Sequence, residues 1–255
     1  MDRRWNLLFA VPLLAALVAY LLTNQLLFTA LGFVVGYLVM EGLRFLLLPP
    51  HLHSAVRLYR RGALEEALSR AEESIAAKPE RWESHYLRAL ILFGMSRLEA
   101  AEESARRATQ LNSESDINHL TVGQILYAQG RFEEAEEAFS EAVRVKGREG
   151  VNHYHLASAH YRLERYADAA PRLELATRLG LENPQLELLA HYYLARSLQQ
   201  LGHEEAAHAA YQEMQKHAEA LEALQKDVQN VPDYPERALL QQDITAINSH
   251  LSRMA

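Results

Sequence analysis

Two hydrophobic patterns divide the chain. Over the first 48 residues the apolar positions are nearly continuous, whereas from residue 51 onward they recur at three- and four-residue steps with charged and amide side chains between them. The second pattern is that of helices that each bury one face. Gly62, Gly130 and Gly202 fall between consecutive periodic stretches, and Ser96 and Glu164 stand at the equivalent breaks of two other stretches. Pairs of helices joined by tight turns are therefore expected, with the turn residue past a helix C-terminus being the one that most needs backbone freedom.

The continuous part has a break of its own. Trp5 to Leu22 is apolar apart from Asn6 and Pro12, Thr23-Asn24-Gln25 is polar, and Leu26 to Met40 resumes the run, which reaches Leu48 past Glu41 and Arg44. Each half is roughly long enough to cross a hydrocarbon layer as a helix, with Arg44 snorkelling to the surface. A transmembrane hairpin is expected over about 5–22 and 26–48. A cleaved leader fits poorly, because a second apolar run follows at once. Ala15 and Ala19, and Gly32 and Gly36, are small residues four apart, suited to close helix packing within the hairpin or between copies of the chain. The turn at 23–25 is uncharged, while Arg3, Arg4, Arg44, Arg57, Arg60 and Arg61 flank the outer ends. That asymmetry puts both termini, and everything after residue 49, on the cytoplasmic side of a cell membrane. Pro49-Pro50 ends the second span with no flexible linker before the first periodic helix.

The periodic part repeats itself. In the stretch from Asp116 to Glu149, Gly123, Leu126, Gly130, Ala135, Phe139 and Ala142 occupy positions 8, 11, 15, 20, 24 and 27 of a 34-residue unit. Position 20 is Ala67, Ala101, Ala135, Ala169 and Ala207, and position 8 is Ala55, Ala89, Gly123, Ala157 and Ala195. Position 4 is His51, His85, His119, His153 and His191, spaced by 34, 34, 34 and 38 residues, so four extra residues lie between the fourth and fifth units, around Pro184 to Glu187. Small residues at positions 8 and 20 let paired helices approach, and larger ones would force them apart.

These columns make the chain from residue 49 onward resemble the tetratricopeptide-repeat family. The resemblance implies an all-α, right-handed solenoid of five units over 49–214. Residues 215–255 would add a long extension of the last unit's second helix, since no breaker intervenes from Glu204 to about Gln229, and a capping helix with Leu240, Ile244, Ile247 and Leu251 on one stripe. The family's aromatic residues at positions 4 and 11 are replaced mainly by His and Leu, and its closing proline survives only as Pro79. The layout, two spans followed by repeats, is also similar to that of certain bacterial inner-membrane proteins, a likeness of architecture that carries no activity with it.

In the family, positions 2, 5, 9, 12 and 13 line an inner groove. Here they bring up Tyr59, Phe93, Tyr127 and Tyr161 at position 12, Tyr86, Tyr154 and Tyr192 at position 5, and Arg162 and Arg196 in the same stripe. Aromatic rings with arginine have the composition of binding hot spots, although each ring taken alone could equally serve packing between repeats. The clamp by which some relatives hold chaperone tails needs Lys and Asn at positions 5 and 9, and the first unit has Leu52 and Val56 there.

Charge and chemistry narrow the rest. With 26 basic and 33 acidic residues the net charge is −7, without the basic patch nucleic acid requires, and with no cysteine there is no disulfide or thiolate metal site. The position-4 histidines sit in separate repeats and read as packing residues hydrogen-bonded at helix starts, not ligands, so no metal and no cofactor is expected. His153, His155 and His160 do not share one helical face. Neither a phosphate loop nor a nucleophile motif is present, so an enzyme is not expected. The glutamates of the second helices, such as Glu133, Glu134, Glu136 and Glu137, read as a solvated outer face. The expected function is a membrane-anchored scaffold or adaptor that holds a cytoplasmic protein or peptide segment in its groove. The alternative is a structural or assembly subunit of a larger membrane complex, associating through the hairpin.

Overall fold

The computed structural model describes residues 34, 35, 37, 50–230 and 235–254. Apart from residues 34, 35 and 37, the expected spans over 5–22 and 26–48 lie outside the described residues, as do Ala15, Ala19, Gly32 and Gly36. Only Val34, Val35 and Tyr37 of that segment are described, and they are helical and exposed. Among the described residues no helix is long and apolar enough to cross a membrane.

From residue 50 the described residues form twelve helices and no strand. Pro79 ends one compact unit and Glu80 begins another. In the first, α1 (Pro50–Arg60) pairs with α2 (Leu64–Ala77) over Leu52, Ala55, Ala67, Leu68 and Ala71, all buried. His51 there meets Glu73 at 2.8 Å. The second unit holds the helix pairs α3 (Trp82–Gly94) and α4 (Leu98–Leu111), α5 (Asp116–Ala128) and α6 (Phe132–Val145), α7 (Gly150–Arg162) and α8 (Tyr166–Leu179), α9 (Pro184–Gln200) and α10 (Glu204–Lys216). It closes with α11 (Ala220–Asn230) and α12 (Pro235–Met254).

The small-residue columns sit where the paired helices touch. Ala67, Ala101, Ala135 and Ala169 are fully buried and Ala207 nearly so. The contact is sharpest in the third repeat, where a Cβ on Gly123 would lie 2.4 Å from the Phe139 ring. Position 24 is Ala71, Ala105 and Leu173 in the first, second and fourth repeats, where position 8 is alanine. Glycine thus stands at position 8 only where position 24 is phenylalanine. In the fifth repeat Tyr211 occupies position 24, and its ring stacks on His250 of α12 with centroids 3.9 Å apart.

Each turn inside a repeat closes with the same pair of backbone bonds. In the third, Gly130 N–H donates to Tyr127 O at 2.9 Å and Arg131 N–H to Leu126 O at 2.9 Å. This motif requires a left-handed residue, and Gly62, Gly130 and Gly202 have φ of 76°, 77° and 77°. Ser96 and Glu164 adopt φ of 57° and 58° at the same place, a conformation that costs an L-residue about 1–2 kcal/mol. Ser96→Gly and Glu164→Gly should each raise stability by about 0.5–1 kcal/mol, because glycine's greater freedom when unfolded offsets part of the relieved strain. The check is the urea midpoint at unchanged slope, and a fall in either midpoint would contradict the strain.

Two inter-repeat devices are absent from the columns read in the sequence. At position 3, Asn118 Nδ2 donates to Ala108 O at 3.1 Å and Asn112 O at 3.2 Å, and Asn152 Nδ2 donates to Ala142 O at 3.4 Å and Lys146 O at 3.3 Å. Both asparagines are fully buried, and each satisfies carbonyls left open at the end of the preceding helix. Along the second helices, Glu102 pairs with Arg131 of the next repeat at 2.6 Å and Glu136 with Arg165 at 2.7 Å. Glu136 also lies 3.2 Å from His160 and is only 22% exposed, so it links neighbouring repeats as well as facing solvent.

The four extra residues before the fifth repeat become one added turn at the start of α9, which has 17 residues where α5 and α7 have 13. Asn183 caps it by accepting from Gln185 N–H at 2.8 Å, with Pro184 as its first residue. The long extension expected after Glu204 is replaced by a break. α10 stops at Lys216, residues 217–219 turn, and α11 packs back on α9. No glycine or proline marks the break. Burial drives it, since Leu221, Leu224 and Val228 become 7%, 5% and 4% exposed against the fifth repeat, a gain that overrides local helix preference.

Candidate functional site

The first helices α3, α5, α7 and α9 lie side by side, and the aromatic stripe expected from the sequence runs along them. Part of the face is already covered: α12 crosses it at α5, α7 and α9. The expected stripe of α12 is the face turned inward, with Ile247 fully buried, Ile244 8% exposed, and Leu240 and Leu251 packed against the same core. Its start abuts the turn of the third repeat, where a Cβ on Gly130 would lie 3.3 Å from Pro235 Cβ.

The contact is anchored by an ion pair. Arg162 Nη2 lies 2.5 Å from Asp243 Oδ2, and both side chains are 8% exposed. Arg162 Nε donates to Tyr127 Oη at 2.9 Å, its Nη2 donates to Tyr193 Oη at 3.1 Å, and Tyr193 Oη donates to Asp243 Oδ2 at 2.9 Å. The guanidinium carbon also stands 5.6 Å and 5.4 Å from the ring centroids of Tyr161 and Tyr193, which stack on one another at 4.5 Å. One carboxylate oxygen, two phenol oxygens and two ring faces thus meet a single guanidinium. Burial raises the Tyr193 hydroxyl well above its usual range, and the adjacent Asp243 charge pushes the same way, so it stays a donor to that carboxylate.

Beside the ion pair lies a cleft of about 270 Å³ bounded by Phe93, Gln124, Tyr127, Tyr154, His155 and Leu189 on the repeats and by Glu236 and Leu240 on α12. Its floor is aromatic: Phe139 stacks on His155 at 5.3 Å, and Tyr154 meets His155 edge-on at 5.1 Å. Gln124 Nε2 lies 3.1 Å from His155 Nε2. Burial pushes the His155 imidazole down to about 4, leaving it neutral near pH 7. Burial pushes the Glu236 carboxyl up to about 7, against the opposing pull of Arg162. Near neutrality that carboxyl is divided between donor and acceptor forms.

Of the residues expected in the groove, Tyr127, Tyr154, Tyr161 and Arg162 are gathered at this site, and Phe93 lines the cleft. Tyr192 is buried at 4% and meets Tyr193 at 5.7 Å. Arg196 bonds Gln199 Oε1 at 3.0 Å. Tyr86 packs with Trp82 at 6.1 Å, away from the ion pair, and Tyr59 belongs to the first compact unit. Tyr193 and Asp243 were missed. Tyr193 sits at position 6, outside the family's groove columns, and Asp243 stands 81 residues from the arginine it meets.

Comparison with known proteins agrees with this architecture. The profile of the family described as anaphase-promoting complex, cyclosome, subunit 3 matches residues 60–142. No curated protein matches the sequence. Among solved structures, MamA residues 41 to the end from Desulfovibrio magneticus RS-1 superposes with a TM-score of 0.59 at 17% identity, over 67% of this chain and 94% of that one. A MamA RS-1 double mutant gives 0.60 at 16% identity, over 69% and 99%. YrrB, titled a TPR protein with an unusual peptide-binding site, gives 0.57 at 14% identity, over 67% and 86%. At these identities the likeness is one of fold. The helices from residue 50 onward are thus of the tetratricopeptide-repeat type, an all-α fold of stacked helix pairs.

Proposed function

We propose that this protein is an interaction scaffold whose first-helix face holds an amphipathic helical segment of a partner protein, and that α12 is the built-in occupant a partner must displace. One observation carries the reading. The face already binds such a helix, through an apolar stripe and one carboxylate seated on Arg162 and Tyr193. A partner would present the same chemistry, hydrophobic residues at helical spacing with an acidic residue among them, which is a helix-in-groove mode of recognition. The peptide-binding site named for YrrB supports a groove of this kind. Attachment to a membrane through residues 5–48 belongs to the proposal and rests on the apolar sequence there.

The experiment uses the chain ended at Asn230, with helicity checked by circular dichroism, and a labelled peptide of residues 235–254. The shortened chain should bind the peptide in trans, and the full chain should bind it at least tenfold more weakly because its own α12 competes at high effective concentration. Arg162→Met in the shortened chain should abolish most of the binding. A folded shortened chain with no affinity for the peptide would remove the basis for the reading.

A further inference from the structure

We propose that Glu187, His191 and His217 form a binding site for a divalent transition metal of the zinc class. Sequence separates these residues: His191 belongs to the position-4 column, and His217 lies outside every column. The break after α10 brings them together, because His217 is the residue that ends that helix. One ligand atom from each of the three lies within 4.8 Å of the others.

The donors are held in place. Glu187 and His191 are one turn apart on α9, with Nε2 and Oε2 3.7 Å apart and side chains 12% and 15% exposed for the histidine and the glutamate. Glu187 Oε1 accepts from Leu181 N–H at 2.9 Å, which fixes the carboxylate and leaves its other oxygen toward His191. The rings of His191 and His217 are stacked, with centroids 5.6 Å apart and 13° between their planes. His191 Nε2 is the ring atom near the Glu187 carboxylate, and among the described residues the buried Nδ1 finds no hydrogen-bond partner.

Two imidazoles and a carboxylate suit Zn²⁺, Co²⁺ or Ni²⁺ better than the hard cations, which prefer oxygen throughout. Three protein ligands leave a position for water. Glu213, one turn before His217 on α10, is paired with Lys216 at 2.8 Å through both oxygens. Closing the ligands on a metal would tie the start of α9 to the bend between α10 and α11.

The test titrates Co²⁺ into the full chain in mild detergent and reads visible absorption. One Co²⁺ per chain is expected, with bands displaced by one equivalent of Zn²⁺. His217→Gln and His191→Gln should each weaken binding at least tenfold, whereas His203→Gln, an exposed histidine on the same repeat, should change nothing. Zn²⁺ should also raise the melting temperature of the parent and not of His217→Gln. Absence of bands in the unaltered chain would overturn the proposal whatever the variants do. Bands that survive both substitutions in helical protein would do the same.

Discussion

Asp243→Ala should cost the second unit about 3–5 kcal/mol, the penalty for leaving one partner of a buried ion pair uncompensated. The guanidinium of Arg162 would remain enclosed by Tyr127, Tyr161 and Tyr193 with its carboxylate gone. Arg162→Met alone should cost a similar amount, because it strands Asp243 at 8% exposure. The pair Arg162→Met with Asp243→Leu should recover most of the loss, since an apolar contact of similar volume replaces two desolvated charges. Urea unfolding of the three variants measures this, and amide exchange locates it: in Asp243→Ala the protection of α12 should collapse before that of α5 or α7. A loss below about 1 kcal/mol in Asp243→Ala would mean the pair behaves as an exposed one.

Gly123→Ala is the second large effect. The new methyl would stand 2.4 Å and 2.5 Å from two carbons of the Phe139 ring, which is itself fully buried and stacked on His155. Overpacking of this kind costs about 1–3 kcal/mol. Phe139→Leu alone should also destabilise, by leaving a void. Combined, the two recreate the pairing of the fourth repeat, Ala157 with Leu173, both fully buried there. The double variant should therefore be more stable than the sum of the single losses predicts, by a coupling on the order of 1 kcal/mol or more. Simple additivity in thermal or urea melts would show that the ring moves aside freely.

The repeats were legible because their cause is local. A small residue at positions 8 and 20, with a left-handed residue between, is dictated by two helices touching, and that recurs every 34 residues. The groove residues were legible only as a stripe. That Arg162 was already engaged could not be seen, because its partner lies 81 residues away and the α12 stripe reads alike whether it caps an end or crosses a face. The break at His217 was hidden for a related reason: no residue there resists helix, and the decision is taken by Leu221, Leu224 and Val228 finding α9. The meeting of His191 with His217 follows from that break and was hidden with it. The hairpin was read from apolar length, a polar break and flanking charge, and of its residues only Val34, Val35 and Tyr37 are among those described.

The fit of Gly123 to Phe139 bears on how such a gene can be rearranged. The two residues that must agree in volume lie in one 34-residue unit, on either side of its internal turn. What joins one unit to the next is less particular. Asn118 and Asn152 address backbone carbonyls, which any neighbouring helix offers, and the Glu102–Arg131 and Glu136–Arg165 pairs are partly exposed. Duplication or exchange of whole units would carry each matched pair along intact. A crossover inside a unit, at the turn, would set the methyl of Ala89 against the ring of Phe139. Recombination seams in this chain are tolerable between repeats and costly within them.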